Sequence, residues 1–277
     1  MSQVDLTKLS IHELAPLLAK RSVSPVELVE AVVENSKKLN PTLNAYITMM
    51  EEEAMSQARL AEEEIAKGEY RGPLHGIPLA VKDNIDTKGI RTTHGSKIHG
   101  ENIPDSDATV VTRLLEAGMI PVGKTNMHEY AYGITNVNPH YGPARNPWNI
   151  EKIPGGSSGG SAVAVAAGMA TSALGTDTAG SVRIPAACCG IVGLKPTFGR
   201  VSKQGVFPLS WTLDHVGPMT KTVRDAALML QYMAGFDAKD ASSVDAPFDG
   251  GELESTSLQG VTIGIPEKEA YDLVDRT

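Results

Sequence analysis

Residues 154–181 read PGGSSGGSAVAVAAGMATSALGTDTAGS. Two glycine-rich turns, GGSSGGS at Gly155–Ser161 and GTDTAGS at Gly175–Ser181, flank a run of small residues from Ser161 to Ala170 and a short apolar segment from Ser172 to Thr176. Ser157 and Ser181 each directly follow a turn glycine, and each turn leads into a small-residue segment of helical character. Glycine lets backbone N–H groups face a ligand, and a helix N-terminus adds partial positive charge, as a developing oxyanion requires. A pair of tight turns with serine caps is the plainer alternative.

Working outward, helix and strand signals alternate. Upstream, Ser10 with Glu13 and Ser24-Pro25-Val26-Glu27 carry capping signals for two short helices, the second broken at Asn40-Pro41. A strand is expected over Ala45–Met49, and a helix over Glu51–Lys67, acidic early and lysine-terminated. Ile77–Val81 reads as a buried strand with Lys82 at its end, Asp107–Ala117 as a helix stopped by Gly118, and Met119–Val122 as a strand. From Gly133 to Gly160 periodicity stops among asparagines, prolines and glycines, leaving a long ordered or unstructured loop. Downstream, Val192–Lys195, Thr222–Ala234 and Val261–Ile265 read as strand, helix and strand, with Asp240–Gly260 a polar surface excursion. The alternation predicts an α/β fold on a central sheet. One domain is expected over 1–277: opening helices to about 70, a core from about 71 to 235, then the excursion and final strand over about 236–277.

Composition narrows the class. The 277 residues are 41% hydrophobic and 21% charged, within the range of globular proteins. A formal net charge of −8 argues against direct nucleic-acid binding. No cationic leader and no run of about 18 apolar residues is read, so a cytoplasmic protein without membrane contact is expected. The two cysteines, Cys188 and Cys189, are adjacent and poorly placed to bridge each other, which fits a reducing compartment. Neither His12-Glu13 nor His128-Glu129 completes an HExxH spacing, so neither a metal nor another cofactor is expected.

Two further motifs compete. Gly118–Thr125, GMIPVGKT, has the spacing of a phosphate-binding loop, but a helix precedes it and its middle reads as a strand. Gly156-Ser157-Ser158-Gly159-Gly160 satisfies the GxSxG nucleophile elbow with Ser158 at its centre, and Asp177 and His215 are formally available as partners. An elbow needs a strand directly before it; the segment Asn146–Pro154 is irregular and contains two prolines.

The two serine turns and the lysine together resemble the amidase signature family. The likeness runs through GIPLAVKDNI at 76–85, GKTNMHEY at 123–130, PGGSSGGSAVAVAAG at 154–168, GTDTAGSVRIPAACCGIVGLKPTFGRVS at 175–202 and LDHVGPMT at 213–220, and covers essentially the whole chain. The resemblance implies an α/β/α architecture on a mixed central sheet and hydrolysis of a carbon–nitrogen amide bond through a seryl acyl-enzyme. It makes Ser181 the nucleophile, Ser157 the bridging serine behind a cis peptide bond, and Lys82 the base. The lysine must then be neutral, so burial has to lower its pKa well below the ordinary value of about 10.4. The same resemblance gives the oxyanion hole to the backbone N–H groups of Thr178, Ala179, Gly180 and Ser181, places Ala131 beside the substrate, and leaves Asp177, Arg183 and Ser158 in support. Ala179 replaces the glycine common there, which requires a negative φ. Family members usually extend further, into a part that supplies more sheet and much of the acyl pocket.

Two members of the family fit. A free-standing amidase on a small-molecule amide is favoured by Pro208–Asp214, PLSWTLD, and by Ile184 where the alternative usually has glutamine. The alternative is the glutamine-hydrolysing A subunit of the tRNA-dependent amidotransferase, which works with partner subunits. From another class comes a catalytically silent fragment or binding module, prone to dimerise through an exposed sheet edge.

Overall fold

The strand that ends in Lys82 lies at the heart of the sheet. In the computed structural model, which describes residues 5–246, 248, 257 and 259–264, Pro78–Lys82 (β2) is buried along its whole length. A strand buried on both faces reads as a continuous apolar run, which is how PLAV appears in the sequence. β2 pairs in parallel with Ile120–Thr125 (β3) on one side and Ser172–Asp177 (β4) on the other. Tyr46–Met49 (β1) runs antiparallel outside β3; His215–Thr220 (β6) runs antiparallel to β4 and carries the two-residue Val192–Gly193 (β5) at the far edge. The order is β1-β3-β2-β4-β6-β5, a mixed six-stranded sheet of the α/β class.

The helices begin where their caps direct. Ile11–Ala19 (α1) follows the Ser10/Glu13 capping box and Pro25–Leu43 (α2) the Ser24/Glu27 box, with Pro25 opening the helix. Asn40-Pro41 does not break α2, which is 19 residues long rather than short. Pro41 sits in the last turn, where its ring removes one helical bond, and the helix closes at Asn44 in the left-handed region at φ +50°. The Asn40 side chain instead accepts from Tyr46 N at 2.9 Å and so steers the chain into β1. Glu51–Ala66 (α3), Thr109–Glu116 (α4), Gly159–Ala166 (α5), Arg183–Cys189 (α6) and Val223–Met233 (α7) complete the α-helices among the described residues.

β6 was not legible as a strand. His215–Thr220 contains Gly217 and Pro218, which ordinarily count against one, yet it pairs in register with β4 from Ser172↔Thr220 to Asp177↔His215. The strand expected at Val261–Ile265 is a correction in the other direction: residues 261–264 form no strand, and Ile265 lies outside the described residues. An apolar run becomes a strand by pairing with a sheet edge; Val261 and Ile263 instead lie 59% and 69% exposed.

The long loop from Gly133 to the start of α5 is ordered by asparagines that replace ladder bonds. Asn138 donates to Gly95 O and Met127 O at 2.7 and 2.9 Å and accepts from His140 N and Tyr141 N. Asn136, at φ +57°, accepts from Gly159 N at 2.9 Å and so holds the start of α5. The spacing at Gly118–Thr125 is no phosphate cradle: its residues 120–125 are β3, and the fully buried Lys124 donates to Ile85 O, Thr87 Oγ1 and Thr92 Oγ1.

Candidate active site

Strand β2 delivers Lys82 into the interior, where neither it nor Ser157 retains any exposed surface. Lys82 Nζ donates to Ser157 Oγ at 2.7 Å and to Thr176 Oγ1 at 2.7 Å. Burial is the main influence on the amine and drives its pKa down to about 7, against an upward pull from the carboxylates of Asp177 and Asp214. A lysine so placed is part neutral at neutral pH and able to take a proton.

Ser157 sits in the turn before α5, and the Gly156–Ser157 peptide is cis. Ser158 N donates to Ser181 O at 3.2 Å, and Ser158 Oγ both donates to Thr176 O and accepts from Thr176 N, each at 3.2 Å. The two serine turns are thereby stitched to each other and to the end of β4. On another side, Gly160 lets the start of α5 pack on backbone: a Cβ there would lie 2.3 Å from Asn126 O and 2.5 Å from Ala45 O.

The elbow constellation is not assembled. The ring of His215 bonds the backbone carbonyls of Leu213 and Asp177, and the hydroxyl of Ser158 is engaged with the Thr176 backbone. The fully buried Asp177 carboxylate accepts from Gly180 N at 2.8 Å, Val182 N at 3.1 Å and the Arg183 guanidinium at 2.9 and 3.0 Å. Burial pushes this carboxyl upward, but the Arg183 and backbone donors outweigh it and hold it below the ordinary carboxylate range.

Those bonds shape the 177–181 loop. Gly180 takes φ +126°, whereas Ala179 stays out of the left-handed region, so the alanine in place of a glycine fits. The N–H of Gly180 is occupied by Asp177, while those of Thr178, Ala179 and Ser181 have no acceptor among the described residues. Ser181 is 6% exposed. Asp214 buttresses the loop from outside: it accepts from Thr178 Oγ1 at 2.6 Å and from the backbone N–H groups of Leu209 and Ser210.

Ala131 is buried at φ +59°, directly after Tyr130 at φ +50°. Two successive non-glycine residues in the left-handed region are costly and are held by their surroundings, here His128 N on Ser157 O and Ala131 N on His128 O. The segment is therefore attached to the Ser157 turn. Sequence reasoning missed Thr176 and Asn84, whose Nδ2 donates to Thr176 Oγ1 at 3.2 Å. Both stand in stretches that carry the family likeness, KDN and GTD, and Asn84 lies in the turn directly after the strand that ends at Lys82. Among the described residues no group of three or more His, Cys, Asp or Glu side chains is arranged to hold a metal ion, and no helix is long and apolar enough to cross a membrane.

The chain belongs to the amidase family, whose sequence model matches residues 27–277. Among its relatives, the glutamyl-tRNA(Gln) amidotransferase A subunit of Carboxydothermus hydrogenoformans is 46% identical over 273 residues, 98% of this chain and 56% of that one. The same A subunit from Methylococcus capsulatus is 49% identical over 94% of this chain and 53% of its own length. Solved structures agree: native peptide amidase from Stenotrophomonas maltophilia superposes with a TM-score of 0.83 at 40% identity, covering 87% of this chain and 50% of that one. The glutamyl-tRNA(Gln) amidotransferase A subunit from Thermotoga maritima gives 0.77 at 41% identity over 90% and 52%. The chain thus spans about half the length of the relatives it matches.

Proposed function

We propose that the site hydrolyses a carbon–nitrogen amide bond, with Ser181 as nucleophile, Ser157 as proton relay and Lys82 as base. The observation that carries this is the buried amine of Lys82, 2.7 Å from Ser157 Oγ and with its pKa drawn down to about 7. Neutral Lys82 takes the Ser157 proton as Ser157 takes that of Ser181, and Ser181 Oγ bonds to the carbonyl carbon. The tetrahedral oxyanion is met by the N–H groups of Thr178, Ala179 and Ser181, since that of Gly180, also expected there, is held by Asp177. Collapse breaks the carbon–nitrogen bond, the leaving nitrogen receives the proton back through Ser157, and water releases the acyl group by the same relay.

The relatives favour the amidotransferase A subunit over a free-standing amidase, because the Carboxydothermus and Methylococcus proteins carry that name at 46% and 49% identity. In this reading glutamine is the amide, and the released ammonia passes to partner subunits. The free-standing reading rests on Ile184, the PLSWTLD stretch and the 0.83 superposition on a peptide amidase.

A fluorophosphonate probe followed by peptide mass mapping tests the chemistry. The expected adduct is on Ser181, absent in Ser181→Ala and Lys82→Ala. An adduct on Ser158 sinks the assignment, and no adduct on folded protein makes the chain a silent module. Ammonia release from glutamine, compared with simple primary amides, separates the two amidase readings.

A further inference from the structure

Lys82 makes two hydrogen bonds, and the acceptor that is not Ser157 is itself held by a third residue. Thr176 Oγ1 accepts from Lys82 Nζ at 2.7 Å and from Asn84 Nδ2 at 3.2 Å. With both lone pairs engaged, the Thr176 oxygen faces Lys82 as an acceptor, so an N–H of Lys82 is committed to Thr176 and the lone pair of a neutral Lys82 is left available to Ser157. Asn84 is 2% exposed, and its backbone carbonyl accepts from Phe207 N at 2.9 Å, which anchors the turn that carries the side chain. It is also uncharged. The charged groups that act on the amine are Asp177 and Asp214, both raising its pKa, and Lys82 in turn acts on His128. A carboxylate at position 84 would be a third anion one hydroxyl removed from the amine.

We propose that Asn84 is a positioning residue for Lys82: through Thr176 it fixes which side of the lysine nitrogen faces Ser157, and as a neutral amide it does so without adding charge beside the base. This rests on the assignment of Lys82 as the base. No substrate contact is assigned to Asn84; it acts through Thr176.

The test is read on the lysine and not on turnover. Protein labelled with ¹³C at lysine Cε is titrated by NMR, with Lys82→Met identifying the resonance. In the intact chain Lys82 is expected to titrate near neutrality. Asn84→Asp is expected to raise that midpoint by about one unit or more, since an anion this near favours the ammonium. Thr176→Val, which removes an acceptor of the ammonium, is expected to lower it, and Thr176→Ser to restore it. A folded Asn84→Asp protein whose midpoint does not move overturns the proposal. If Asn84→Asp does not fold, an unmoved midpoint in Thr176→Val does the same. Probe labelling runs in parallel: loss of the Ser181 adduct with a normal titration response defeats the mechanism alone, and an unresponsive Lys82 with intact labelling defeats the Asn84 inference alone.

Discussion

Lys82 Nζ lies 2.7 Å from Ser157 Oγ, a contact that joins residues 75 positions apart in the chain with no water-exposed surface on either. Burial of an amine beside two hydroxyls is costly, and the cost has a sign that can be measured. The folded pKa of about 7 lies below the ordinary 10.5. Below about pH 7 both folded and unfolded chains carry the proton and the full penalty is felt; as pH rises toward 10.5 the folded chain has shed it while the unfolded chain has not, so stability rises across that window. Lys124 and Lys221, each drawn to about 8 chiefly by burial, add in the same direction. Urea midpoints measured from about pH 6.5 to about pH 9.5 are expected to climb, and to climb less in Lys82→Met. An identical slope in the two proteins refutes the burial argument.

Asp177 and Arg183 form an ion pair of unequal partners. The Asp177 side chain is fully buried, while that of Arg183 is 51% exposed. Asp177→Ala leaves the loop N–H groups of Gly180 and Val182 without their acceptor and is expected to cost about 3 kcal/mol. Arg183→Ala leaves the buried carboxylate its backbone donors but no cation, and because the guanidinium is half exposed and screened it is expected to cost less, about 1 to 2 kcal/mol. Chemical denaturation of both variants decides the order; equal losses would contradict it.

Gly160 has no room for a methyl group. The nearest atoms to a Cβ at this position are the backbone O and N of Asn126 and the O of Ala45, at 2.3 to 2.6 Å, and backbone cannot yield as a flexible side chain can. Gly160→Ala is expected to destabilise by about 3 kcal/mol through overpacking, read as a fall in Tm. An unchanged Tm would show that the start of α5 is not locked against the Ala45 and Asn126 backbone there.

Ser158→Ala removes the hydroxyl that bridges to the Thr176 backbone. The expected result is a loss of about 1 to 2 kcal/mol in stability with the probe adduct still on Ser181, labelled about tenfold more slowly. Complete loss of labelling in this variant alone, with fold retained, would return the nucleophile to Ser158.

Much of the architecture is written locally. The caps at Ser10 and Ser24 start the two helices they announce, and the apolar PLAV run before Lys82 is the central buried strand. Where local signals conflicted, long-range pairing won. Pro218 and Gly217 lie inside β6 because β4 supplies a complete edge, whereas the better-looking VTIG at 261–264 forms no strand and has no pairing partner among the described residues. The Asn40-Pro41 breaker failed because proline near a helix end removes little.

By itself the sequence determined the α/β alternation, the two serine turns and the lysine between the opening helices and those turns, because turn chemistry, capping and apolar periodicity are local properties of the chain. The tertiary structure alone decided that Lys82 meets both Ser157 and Thr176, that Asn84 completes that contact, and that Asp177 holds the Gly180 N–H while those of Ala179 and Ser181 have no acceptor among the described residues. Hydrogen-bond geometry and desolvation depend on which distant strands and turns share one interior, and adjacency of that kind exists only after the sheet has formed.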